Sequence, residues 1–562
     1  MSQLIKSKTQ LLFTIIFSAA TIFALSLSLP TVQDLTISLI QSFFNKILRK
    51  PERWLEIITH CSFIFIFSLW IIYFLNFSTT GEQIKNSIKH TLYTFLKSIY
   101  EYKILFISVL ITLFLIFFKV ITANFYYADD MWRNAAGSRS WIGFSRYISE
   151  FLSILIHTNI KLSDIAPFTQ FITIIIMAFS IFLICYVINN NRYSVLAILA
   201  VSITFVSPFF SENFSYRFDA PYMALAVLFS AIPFLFIENR KAFIFISIIS
   251  LILTCFSYQA GLSIYIILAI FLTLRKILKN DRLSDYGILV FDSLISFIIA
   301  LVIFKLFFMN AMSNSDDDYF STVIKLSSVP QNLINYFNII LTDFGNIILK
   351  SLTFIAFVSC IFVLVKNSLC NKWLAFIAVI SGFVLSFVLS TGPYIIFERP
   401  LLTYRTFMGF NLLIALIVFI LIEQKFLKFL TIAVFYCCVI FQFVYGNCLT
   451  EQKDYQHFRS ALIAKDIGEL AVSEQNIEIK FQNKVGLCDA TKISRHNYPI
   501  LDKIITQIPS ENSIWNENYF TNFNLHFKNN VSLDKINMNL VKSSIYHNIY
   551  QNENKFIVEL KN

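Results

Sequence analysis

A chain of 562 residues that is 57% hydrophobic and only 14% charged cannot keep its apolar surface from water by folding as an ordinary soluble domain, where about 25% of residues are charged. The 63 Phe and 25 Tyr beside few Gly and Pro exclude collagen, coiled coil and disorder, and fit bulky helices in hydrocarbon. The net charge of +11 would suit nucleic acid in a soluble protein. In a membrane protein Lys and Arg collect on cytoplasmic loops instead, so no nucleic-acid partner is implied.

A spanning helix needs about 20 mostly apolar residues, and roughly thirteen such runs are present. They are expected near 10–29, 57–76, 104–122, 167–188, 194–210, 220–237, 242–257, 261–274, 287–309, 346–366, 373–391, 404–423 and 428–446. The first run follows Lys6 and Lys8 and has a second reading as a signal peptide. With the N-terminus inside, Lys85, Lys89, Lys97, Lys103, Arg192, Arg240, Lys241, Arg275, Lys276, Lys279, Arg282, Lys366, Lys372, Lys425 and Lys428 all fall on cytoplasmic loops, as the positive-inside rule requires. Lys46, Arg49, Lys50 and Arg53 oppose that rule, and an interfacial amphipathic helix is the expected reason.

The opposite set of loops, at 123–166, 211–219, 257–261, 310–345 and 392–405, holds the chemistry-bearing clusters, and an odd helix count exports the tail with them. Residues 1–103 read as N-terminal membrane helices with an interfacial segment, 104–446 as a multi-helix catalytic domain, and 447–562 as a small extracytoplasmic α/β domain. Alternation at 477–481 supports strand in the last. Most of the nine Cys lie in apolar runs and behave as small hydrophobes. Cys448 and Cys488 in the tail are either a disulfide or two free thiols.

The run Tyr126-Tyr127-Ala128-Asp129-Asp130-Met131-Trp132-Arg133 sets two adjacent carboxylates directly after an apolar helix. If helical, Arg133 lies three and four residues beyond Asp130 and Asp129 and neutralises one of them, leaving the other as a general base. The bland reading is a pair of juxtamembrane acids capping the next helix. Gly137, Arg139, Trp141 and Arg146 follow, then an amphipathic segment from 147 to 160. Arg suits a phosphate because its planar fork donates two hydrogen bonds and stays charged. Trp141 either stacks on a sugar or, as is favoured for this residue alone, sits in the interfacial belt.

Asp129, Asp130, Arg133, Gly137, Trp141 and Arg146 resemble the signature of the serotype-converting O-antigen glucosyltransferases, which is an Asp-Asp pair, an Arg three residues on, then Gly, Trp and Arg. Ser145 stands where that family usually has Gly, so the turn before Arg146 is expected to differ. Asn213 to Asp219, including Tyr216 and Arg217, is similar to the family's second exported loop. Tyr258-Gln259 is similar to its third, and Gly392-Pro393 through Glu398-Arg399-Pro400 to Arg405 to a further one. The resemblance covers about 100–420.

It implies a C-type glycosyltransferase fold in the bacterial inner membrane, a sugar donor on undecaprenyl phosphate, and a lipid-linked or surface polysaccharide acceptor on the periplasmic side. Asp129 or Asp130 then deprotonates the acceptor hydroxyl, with the alternative that Asp130 only orients Arg133. Arg217, Arg399 and Arg405, with Arg146 as a fourth, stabilise the leaving phosphate. No cofactor is implied. Asp316, Asp317 and Asp318 have the oxygen ligands that a hard divalent cation takes, but a solvated acidic loop is the favoured reading. The rival readings are an O-antigen polymerase, a transferase for another sugar, and a flippase of lipid-linked sugars.

Overall fold

The computed structural model describes residues 13–15, 17–22, 26, 32–38, 51–309, 323–472, 476–529 and 532–561. From Pro51 onward the chain runs as helices α1 (Pro51–Phe77), α2 (Thr79–Glu101), α3 (Lys103–Ala123), α4 (Asp129–Ala136), α5 (Tyr147–His157), α6 (Phe168–Ile188), α7 (Val195–Val206), α8 (Phe210–Ser215) and α9 (Ala220–Ala231). Next come α10 (Arg240–Ser257), α11 (Leu262–Leu278), α12 (Leu283–Phe307), α13 (Val329–Asp343), α14 (Ile347–Asn367), α15 (Lys372–Val388), α16 (Met408–Ile420) and α17 (Lys428–Leu470).

Eight helices among the described residues are long and apolar enough to cross a bilayer, which makes this a membrane protein. They coincide with eight of the expected runs. Four other runs are occupied by the shorter apolar helices Val195–Val206, Ala220–Phe236, Lys372–Val388 and Met408–Ile420, and the first run in part by Phe13–Ile22. A helix the length of α7 covers roughly 18 Å, less than the roughly 30 Å of hydrocarbon. α7 and α16 are almost wholly buried in protein, so the bilayer thickness does not set their length. Irregular backbone such as the 3₁₀ turn Tyr404–Thr406 before α16 is tolerated there because other helices surround it.

α2 is a helix where only a basic loop was expected. Ser78 caps it by accepting the Gly81 N–H, and Ile84, Phe95 and Ile99 bury one face of it. A Cβ on Gly81 would lie 1.9 Å from the Phe74 carbonyl oxygen, so only glycine lets α2 fold back on α1. Gly446 does the same for α17 against α3, where a Cβ would come within 2.6 Å of Lys119 backbone. Lys46, Arg49 and Lys50 lie outside the described residues, as do Asp316, Asp317 and Asp318.

The basic loops meet at one end of the bundle. Arg275 donates to the Ile188 carbonyl, Asn239 to Ser87 at 3.2 Å, and Ser98 bonds Tyr193 at 3.0 Å. α17 continues without a break past residue 446, where the composition turns polar, and carries the tail away from the other end. The tail holds one sheet of strands β1 (Glu478–Gln482), β2 (Asn539–Ser543), β3 (His547–Asn552) and β4 (Lys555–Leu560). Their order is β1-β4-β3-β2, with β1 and β4 parallel and the other pairs antiparallel. Ile479, Phe481, Ile549, Phe556 and Val558 form its core together with Ile463 and Ile467 of α17 and Met131 of α4. Cys448 and Cys488 are free thiols.

Candidate active site

α3 ends on Asn124 in the left-handed conformation, and five residues later α4 opens with the two aspartates in its first turn. Asp130 is fully buried. Its carboxylate accepts the backbone N–H groups of Tyr127 (3.1 Å), Arg217 (3.0 Å) and Phe218 (3.3 Å). Desolvation raises its pKa to about 8, against the opposing pull of those hydrogen bonds. Asp129 is only half-buried.

Arg133 turns away from both aspartates. It forms a bidentate pair with Asp219, Nε to Oδ2 at 2.9 Å and Nη2 to Oδ1 at 3.2 Å, and lies 3.9 Å over the Trp141 ring. The Trp141 indole N–H donates to the same Asp219 carboxylate. All three side chains are buried, and a buried charge persists only when paired and hydrogen-bonded. The expected neutralisation of Asp129 or Asp130 by Arg133 is therefore replaced by a link between loops 86 residues apart in sequence. Trp141 has no exposed face, so it belongs neither to an interfacial belt nor to a sugar-stacking surface.

Arg139 pairs with Glu150 at 3.2 Å, and the other Glu150 oxygen accepts the Trp141 N–H. Arg217 pairs with Asp164 at 2.9 Å and stacks over Tyr126. Arg399 is exposed beside Glu398, outside these buried groups.

A second group surrounds Arg405. Its backbone N–H donates to Glu212 Oε2 at 2.8 Å, its Nε lies 3.9 Å from Glu212 Oε1, and its guanidinium donates to the Tyr216 hydroxyl. Burial raises the Glu212 pKa, with Arg405 opposing and Asp129 adding to the rise. Arg146 donates to Gln259 at 3.2 Å and sits over the Tyr258 ring at 4.6 Å. Arg405 and Arg146 both act on the hydroxyls of Tyr258 and Tyr394. The Tyr258 hydroxyl is buried and makes no hydrogen bond. Asp129 and Arg405 thus meet at Glu212, and Arg405 and Arg146 at Tyr258 and Tyr394.

Four loops supply these groups, at the end of the bundle opposite the basic loops. Glu212, Glu150, Asp164 and Tyr394 escaped the sequence reading. Glu212 had a signal, since it is an acid directly preceding the Asn213–Asp219 stretch. Among the described residues no group of three His, Cys, Asp or Glu side chains is arranged to hold a metal ion.

Apolar helices carrying buried carboxylates and arginines at one end make this an integral membrane protein with a charged site in its loops. Residues 118–416, more than half of the chain, match the family model described as glucosyl transferase GtrII, and the chain belongs to that family of membrane glucosyltransferases. It is also 28% identical over 183 residues to a Salmonella phage P22 protein described as an uncharacterized 55.3 kDa protein in the gtrB 5' region. That match covers 32% of this chain and 38% of the phage protein. No solved structure matches.

Proposed function

We propose that this chain moves glucose from undecaprenyl phosphate to an O-antigen or related surface polysaccharide on the periplasmic side of the inner membrane, using a C-type glycosyltransferase architecture. The observation that carries the reading is Glu212, which accepts the Arg405 N–H and feels the half-buried Asp129, at the bundle end away from the basic loops. The positive-inside rule makes that end extracytoplasmic, with the N-terminus inside and the tail outside.

Asp129 takes the proton from an acceptor hydroxyl, and the resulting oxygen attacks the anomeric carbon. The bond from that carbon to the carrier phosphate oxygen breaks with inversion, and the phosphate leaves with both electrons. Arg405 and Arg146 stabilise the charge that develops there, and the unpartnered Tyr258 hydroxyl offers a further donor. Glu212 holds the Arg405 backbone. Asp130, Arg133, Trp141, Asp219 and the Arg217–Asp164 pair shape the chamber from behind.

The test is transfer of labelled glucose from polyprenyl phosphate to polysaccharide by the full chain in vesicles. Asp129→Asn is expected to lower kcat by about 10²- to 10⁴-fold. Wild-type turnover in that variant would overturn the assignment of the base, and lipid movement without a new glycosidic bond would make the protein a transporter.

A further inference from the structure

We propose that Lys503, a residue of the tail, is a positioning residue for the chamber: through Asp343 and Tyr404 it holds the turn that presents Arg405. The proposal deepens the reading above and rests on it for the role of Arg405.

The stretch from Tyr498 to Ile505 is part of the polar tail in sequence but not in packing. Tyr498, Ile500, Leu501, Ile504 and Ile505 are buried in the same core as the apolar helices, whereas the sheet has a separate core. Tyr498 stacks edgewise on Phe441 of α17 at 5.2 Å, and its hydroxyl accepts from Asn346 at 3.3 Å. This anchoring delivers the Lys503 ammonium to Asp343, 2.7 Å from Oδ2.

Asp343 is the last residue of α13 and is 1% exposed. An acid at a helix C-terminus faces the negative end of the macrodipole, and a buried carboxylate without a partner is costly, so this position needs a cation. Lys503 supplies one. Lys350, whose ammonium is on the Thr342 carbonyl at 2.8 Å, is the other nearby cation, and Glu212 and then Asp502 are the further acids acting on Tyr404. The oxygen that binds Lys503 also accepts the Tyr404 hydroxyl at 2.9 Å. Tyr404 opens the 3₁₀ turn Tyr404–Thr406, and the next residue is Arg405, pinned by its N–H to Glu212. Two contacts and one peptide bond therefore connect the tail to Arg405.

Lys503 is exposed, so substitution there leaves the core intact. In full-length protein without substrate, Lys503→Met is expected to speed amide exchange across 403–407 by about tenfold, the effect of losing a charge-assisted hydrogen bond. Exchange in β1, β3 and β4 stays unchanged. In the transfer assay the same variant should lose about 10- to 100-fold in kcat, as a displaced catalytic group does, with donor KM within about twofold. Lys503→Arg, which keeps the charge, should recover both readouts.

Unchanged exchange at 403–407 overturns the proposal, and so does faster exchange with undiminished kcat, or a Lys503→Arg variant as impaired as Lys503→Met. Exchange is measured without donor or acceptor. If the wild-type chain transferred no glucose, the reaction assignment would fail while exchange still decided whether Lys503 holds the turn.

Discussion

Neighbouring aspartates in the first turn of α4 point about 100° apart around the helix axis, and that angle separates their chemistry. Asp129 remains reachable, while Asp130 is spent on three backbone N–H groups from two loops. Asparagine at 130 would turn an N–H₂ toward at least one of those donors. Asp130→Asn should therefore destabilise the fold by about 1–3 kcal/mol, the cost of an unsatisfied buried polar group, measured as a lower unfolding midpoint. Because burial raises the folded pKa of Asp130 to about 8 from an ordinary value of 3.8, the folded state holds this proton more tightly than the unfolded one. Its contribution is complete below pH 4 and is lost as pH rises through about 8. The stability gap between wild type and Asp130→Asn should then narrow over that window, and a gap that widened would contradict the burial argument. That an acidic pair opens the segment directly after an apolar run was legible in the sequence. Which member is reachable was not, because two of the three donors that sequester Asp130 come from residues 217 and 218, far away in sequence.

At the scale of elements, the apolar runs were legible because hydrocarbon demands length and hydrophobicity, and every expected run coincides with helix, the first only in part. The ends of α7 and α16 were not, since helices sheathed by other helices are freed from bilayer thickness. α2 was hidden by its lysines, which line one side of a helix whose other side packs on α1, α10 and the 3₁₀ turn Ile232–Phe236. The turn into α5 illustrates a smaller conflict. Ser145 adopts φ +59°, a left-handed conformation costing an L-residue about 1–2 kcal/mol that glycine avoids. The expectation that serine here would change the turn is answered by a backbone that keeps the glycine-like conformation. Ser145→Gly should accordingly be neutral to stabilising by up to about 1 kcal/mol, with turnover retained because Arg146 keeps its place over Tyr258. A drop in the unfolding midpoint would show that the serine side chain contributes more than its backbone costs.

For the whole molecule, the polar tail behaves as two things at once. Its sheet packs on the outer half of α17 and on Met131, while Tyr498–Ile505 completes the core of the apolar bundle. α17 joins them as one helix of 43 residues, about 64 Å long, with no linker at the change in composition. Arg459, 1% exposed, fixes the sheet to it by donating to the carbonyls of Tyr546 and Lys561. A chain cut after residue 446 would lose the outer part of α17 and uncover the apolar surface that Tyr498, Ile500, Leu501, Ile504 and Ile505 cover. Each such large side chain contributes about 1.5–3 kcal/mol when fully buried, against a total stability of only about 5–15 kcal/mol for a typical domain. Truncation at 446 should therefore abolish a monodisperse, cooperatively melting protein in detergent, rather than merely alter acceptor choice. A truncated chain that eluted as a single species with the wild-type melting midpoint would show that the bundle is self-sufficient, and the tail would then have to be sought as a separate module acting on the polysaccharide.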